Sequence, residues 1–228
     1  MHINVAKAEV EALIDHLFEH SNTAPFISHK LIQRLVTANP SPRYIKAVVT
    51  AFRTGEYAPA GRKFSGKYGD LGAAVAAVVL DREARATTLD ADPAHGKLRE
   101  PLLKLLHMFR AMEYNATNGR EIAFLDLVDD IGMAPFESPT VFNFYLPDYQ
   151  PAGPIATAGL VSPETQLSTT PLIVAYMNGM DSLIDYGLTH CEGGFGEREA
   201  RPARRCNGFD LRDGVTRETS DGVLAFTP

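Results

Sequence analysis

The stretch Leu98-Arg-Glu-Pro-Leu-Leu-Lys-Leu-Leu-His-Met-Phe-Arg-Ala-Met112 decides the fold class. Leu98, Leu102, Leu105, Phe109 and Met112 recur there at alternating four- and three-residue spacing, which stacks side chains on one face of an α-helix. Pro101 is tolerated only in a first turn, where no intrahelical donor is needed, so this helix starts a residue or two earlier. The same period returns on both sides. Val10, Leu13, Ile14, Leu17 and Phe18 predict a helix with one buried face, ending near His20-Ser21-Asn22. Thr23 is expected to cap the next helix, with Pro25 in its first turn and Ile27, Leu31 and Leu35 as its stripe; Asn39-Pro40 stops it. Ser41-Pro42 reads as an N-cap followed by proline at the first helical position, with Ile45, Val48, Val49 and Phe52 inward and Gly55 closing the helix. Asp70 caps a fourth helix, in which Leu71, Val75, Val78 and Val79 are expected to point inward. A shorter helix is predicted over 120–130, carrying Ile122, Leu125 and Val128.

The character then changes. Residues 133–154 interleave Pro135, Pro139, Pro147, Pro151 and Pro154 with Phe136, Phe142, Phe144, Tyr145 and Tyr149. The prolines exclude a continuous helix or central strand, and the aromatics exclude a disordered linker, so a packed irregular segment laid against the helices is expected. Ser162-Pro163 and Thr170-Pro171 open two more elements, the second with Ile173, Met177, Met180 and Ile184 on one face. The expectation is a mainly α, multi-helix domain of orthogonal or bundle-like packing over residues 1–188, with little or no β structure. Residues 189–228, rich in Gly and Arg and poor in Leu, Val and Phe, are expected to be a disordered or non-native tail.

Totals narrow the function classes. A net charge of -6 argues against a nucleic-acid binder, which would carry a basic excess. No apolar run approaches the roughly 18 residues of a membrane span. Met1-His2-Ile3-Asn4 lacks a signal peptide's charged-then-apolar pattern, so the chain as written reads as cytoplasmic. The two cysteines, Cys191 and Cys206, both fall near the C-terminus, so no disulfide framework supports the body.

Two motifs come close to known chemistry. His16-Leu17-Phe18-Glu19-His20 matches H-x-x-E-H, in which histidines four apart share a helix face and can ligate Zn²⁺ while the glutamate acts as base. No third ligand stands out downstream, and a polar helix end explains His16, Glu19 and His20 equally well. Gly61-Arg-Lys-Phe-Ser-Gly-Lys-Tyr68 has the glycine and lysine spacing of a P-loop, but Tyr68 stands where Mg²⁺ needs a hydroxyl, and no buried strand precedes it. Nucleotide hydrolysis is rejected, and a solvated basic loop is the reading. No nucleophile, base and orienting group can be assembled from spacing, and no cofactor is expected. The candidate ligand-binding residues are Arg34, Lys97, Arg99 and Glu100, with Asn143 and Tyr145 in the aromatic segment; for 97–100 a local cap is the competing reading, for the aromatics core packing.

Several stretches occur together: His20-Ser-Asn-Thr-Ala-Pro-Phe-Ile27; Leu31-Ile-Gln-Arg-Leu-Val-Thr37 with Asn39-Pro-Ser-Pro-Arg-Tyr44; Gly69-Asp-Leu71 with Leu80-Asp-Arg-Glu-Ala-Arg85; Gly96-Lys-Leu-Arg-Glu-Pro101; Pro135-Phe136 with Ser138-Pro-Thr-Val-Phe-Asn-Phe-Tyr145; and Leu160-Val-Ser-Pro-Glu-Thr-Gln166. In order and content they resemble the C-terminal half of a bacterial family, domain of unknown function 1800. The resemblance implies a mostly helical piece of a longer, exported protein. It also implies a gene neighbour in the sulfatase-like family domain of unknown function 1501. It carries no established catalytic residues. Two functions follow as expectations: a non-catalytic assembly or partner-binding module, with that sulfatase-like protein as candidate partner, or part of a hydrolase or ligand-binding site completed by a missing N-terminal half.

Overall fold

The computed structural model describes residues 2–116, 127–189, 194–196 and 222–223. It is mainly helical, as the periodicity predicts. The helices are α1 His2–Glu19, α2 Thr23–Leu35, α3 Pro42–Thr54, α4 Leu71–Leu80, α5 Arg82–Arg85, α6 Pro101–Ala111, α7 Val128–Ile131, α8 Pro154–Thr157 and α9 Thr170–Tyr186. Among the described residues, β structure is one antiparallel pairing of β1, Asn115–Ala116, with β2, Gly222–Val223. The chain divides into two compact units: Met1–Lys97 with Ala152–Val161, and Leu98–Pro151 with Ser162–Pro228.

In the first unit, caps fall where the sequence places them. Ser41 sits extended before α3, and its hydroxyl accepts the Tyr44 amide hydrogen. Asp70 accepts from the Ala73 and Ser65 amides, and hydrogen bonding, from the Ser65 side chain foremost and then from these amides, holds its carboxyl at about 2. Gly55 ends α3 in the left-handed region at φ +64, the conformation glycine adopts without a side-chain penalty. Thr23 differs from expectation. It is the first residue of α2, and its hydroxyl donates to Leu17 O across 2.6 Å, tying the end of α1 to the start of α2.

The core of this unit is Ile32 of α2, Tyr44, Val48 and Phe52 of α3, and Ala73, Ala74, Ala77 and Val78 of α4. Of the four residues expected inward on α4, only Val78 is buried; Leu71, Val75 and Val79 are exposed. The helix is apolar on every side, so its period carries no phase. The face turned inward is the one whose alanines let α2 and α3 approach closely. The α1 stripe also departs from expectation. Leu13, Ile14 and Leu17 are 56–58% exposed, and Val10 is exposed with them. What fastens α1 is Phe18, set edge-on to Phe52 and Tyr68 at centroid distances of 6.5 and 5.1 Å, with the Tyr68 hydroxyl donating to Phe18 O. Gly69 makes room: a Cβ there would lie 2.2 Å from the Phe18 ring.

In the second unit, α6 begins at Pro101 with Glu100 as N-cap and buries Leu105 and Phe109. These pack with Ile131, Tyr145, Leu167, Leu183, Leu188 and Phe195. On α9 the face is rotated from the predicted one. Gly179, Ser182 and Leu183 are buried, while Ile173, Met177 and Ile184 are exposed. Gly179 matters because the Phe195 ring stands 2.3 Å from where its Cβ would be. The 133–154 segment is irregular up to α8, but it is less packed than expected. Phe136 and Phe142 are exposed, and Tyr145 is the aromatic it buries fully. Of the helix expected over 120–130, residues 120–126 lie outside the described set, as does most of 189–228.

Gly55 and Gly61 give a controlled comparison, since both have φ near +65. A Cβ at Gly61 meets open space, whereas one at Gly55 would lie 2.3 Å from Lys67 N. Gly61→Ala should cost about 1 kcal/mol, the left-handed penalty alone. Gly55→Ala should cost about 3 kcal/mol or more, as backbone must also move. Urea melts of the two variants measure the difference.

Candidate functional site

The polar site of the first unit is built from two sequence-distant pieces, the start of α3 and the α4–α5 corner. Asp81 leaves α4 in extended conformation, caps α5 through the Glu83 amide, and is buried. Arg43, the second residue of α3, grips it bidentately: Nη1 to Oδ2 at 3.0 Å and Nη2 to Oδ1 at 2.6 Å. The same Nη2 reaches Glu83 Oε2 at 3.0 Å. Glu83 is held from the other side by the Ser41 amide at 2.9 Å and by the Ser41 hydroxyl. Ser41 therefore caps α3 and anchors Glu83 at once. Beneath them the buried Tyr44 hydroxyl donates to Val78 O.

Electrostatics follow from this arrangement. Burial opposes ionisation of Asp81, but the hydrogen-bonded guanidinium of Arg43 more than offsets it, and the carboxyl stays below its ordinary 3.8. Burial likewise opposes ionisation of Glu83, and the two Ser41 bonds with Arg43 bring it below 4.5. The Asp81 bond in turn raises Arg43, and burial with the neighbouring carboxylates raises Tyr44. A carboxylate so occupied and so readily ionised is a poor proton acceptor at neutral pH. The network is a rigid wall. Beside it lies a cavity of about 390 Å³, whose other walls come from the α5 region and the turn that follows, including Arg82, Leu89, Asp92 and His95.

The second unit holds a carboxylate–phenol cluster. The Tyr145 hydroxyl donates to Glu100 and lies 3.5 Å from Glu164 Oε1. Tyr145 and Glu164 are each 2% exposed. A separate groove of about 130 Å³ runs between Pro101, Leu167, Leu172 and Tyr176.

The sequence candidates are thus dispersed. Lys97 donates to the Gln33 and Arg34 carbonyls at 3.1 and 3.0 Å, closing the C-terminus of α2 as a cation should. Arg34 is half-buried on that helix, and Arg99 is exposed. Glu100 and Tyr145 are brought together. Asn143 is a half-buried turn residue at φ +81, a conformation asparagine tolerates. His16 and Glu19 lie on exposed α1, and His20 Nδ1 accepts the Asn22 amide at 3.2 Å. Among the described residues no group of three or more His, Cys, Asp or Glu is placed to hold a metal ion. The basic loop 61–67 is mostly exposed, with Arg62 over the Phe64 ring at 4.9 Å. No described helix is long and apolar enough to cross a membrane. Spacing gave no sign of Arg43, Asp81, Glu83 or Glu164. The usable signal is that the stretches 39–44 and 80–85, both carriers of the family resemblance, turn out to be partners.

A mainly helical chain with a part-buried ion-pair corner is what these elements define. The chain belongs to the family described as "Protein of unknown function (DUF1800)", whose model matches residues 2–214. The chain matches no curated protein and no solved structure.

Arg43→Met should destabilise the chain by about 2 kcal/mol at pH 7, below the value for a fully buried pair because Arg43 is 39% exposed. Both carboxyls have depressed folded values, so their contribution is complete above 4.5 and fades as pH falls through and below 3.8. The gap between native chain and variant should therefore shrink on acidification. Thermal melts between pH 7 and pH 3 test this; a gap independent of pH would contradict it.

Proposed function

We propose that this chain is an assembly or partner-binding module of an exported bacterial protein. The observation that carries the reading is the apolar stripe of α1. Val10, Leu13, Ile14 and Leu17 stand exposed along one helix, and α4 adds exposed Leu71, Val75 and Val79 in the same unit. A soluble surface exposes scattered apolar residues freely, but a periodic row on an amphipathic helix is the form taken by helix-docking surfaces. The polar side of the reading agrees. The best-organised charged cluster is saturated by its own partners, which suits architecture better than turnover. The family resemblance makes the sulfatase-like protein of domain of unknown function 1501 the partner to try first.

Co-expression of this chain with such a neighbour should yield a complex that survives size-exclusion chromatography. Leu13→Glu with Leu17→Glu should abolish it, since two buried charges without partners cost several kcal/mol. The double variant should melt as the native chain does, because both side chains are exposed. Failure of the pair to co-elute, or a complex indifferent to the two glutamates, would remove the reading.

A further inference from the structure

We propose that the cavity of the first unit binds a small organic carboxylate, its charged end held by Arg82 and His95 and its body lying against Ala86, Leu89 and Ala94. At about 390 Å³ the cavity falls in the range of small-molecule sites, roughly 300–1,000 Å³. Its charged walls are of two kinds. Arg43 and Glu83 line it but are bound to each other, to Asp81 and to Ser41, so they give it a fixed shape and no unused charge. Arg82 and His95 line it too, and their side chains make no hydrogen bond or ion pair among the described residues. A guanidinium offers five donors in a fork that fits an oxyanion, and a neighbouring imidazole adds a sixth.

The remaining wall sets the ligand's character. Ala86, Leu89 and Ala94 are apolar, Asn39 has its amide bound to the Val161 backbone, and Thr88 adds one hydroxyl, a balance that favours a compact hydrocarbon or aromatic body over a sugar or nucleotide. Asp92 also lines the cavity, with Oδ1 engaged by the Ala94 amide at 2.9 Å. Its negative charge on the same wall disfavours a dianion and so selects a single charge over a phosphate monoester. A carboxylate on a small apolar body meets these conditions together.

The probe is benzoate, titrated into the full chain by calorimetry or heteronuclear NMR, with benzamide and inorganic phosphate as comparators. Saturable benzoate binding, at least about tenfold tighter than either comparator, is the expected result, the tenfold corresponding to one charge-assisted contact. Arg82→Gln should weaken benzoate by about tenfold or more with only a small change in melting, since among the described residues the Arg82 side chain makes no hydrogen bond and acts on Asp81 only through its charge. Leu89→Trp should abolish binding by filling the cavity. Benzamide binding as well as benzoate, phosphate binding equally well, or an Arg82→Gln variant that keeps full affinity would each overturn the proposal. So would the absence of saturable benzoate binding to the native chain.

Discussion

Arg43 joins the beginning of one helix to the end of another. Its guanidinium reaches Asp81 and Glu83, 38 and 40 residues further along the chain. Those carboxylates occupy the corner at which α4 gives way to α5, and Ser41 clasps Glu83 while capping α3. The direction in which α4 leaves α3 is thus set by polar bonds at one end, while the alanines of α4 set how close it lies. Replacing either feature changes a different variable: the corner governs angle, the alanine face governs distance. The cavity exists because the corner is braced, since its wall is made of the same side chains.

Much of the fold was legible in the sequence, and the reason is locality. Ser41-Pro42, Gly55 and Asp70 act within a turn of their own position, so the residue type announces the geometry. Facing directions were less legible. α4 is apolar throughout, and α9 carries apolar residues on more than one side, so periodicity located both helices without orienting them. On α1 the stripe is real, but a stripe says only that a surface wants cover and does not say that this chain supplies it.

The site was harder still. Glu100 was singled out, yet its partner Tyr145 lies 45 residues away and Glu164 another 19 beyond. Lys97, its near neighbour in sequence, donates to two carbonyls at the C-terminus of α2. Arg43 looked like any arginine early in a helix. Ionic pairing across tens of residues is decided by how elements cross, which no spacing rule encodes. The family stretches helped only in retrospect, because they mark which residues the fold keeps together without saying which touch which.

The single aromatic fastening of α1 has a kinetic meaning. The helix is held near its C-terminal end by Phe18 and by the Thr23 hydroxyl on Leu17 O, and its preceding turns have little packing of their own. An isolated helix of 18 residues is marginal in water, so these turns open at a free energy close to their own helix–coil balance. Helices α2 to α4, sharing one core, open only together. Amide hydrogens of α1 therefore exchange with solvent on a clock separate from that of the domain, and whatever comes to cover the stripe would slow that clock alone.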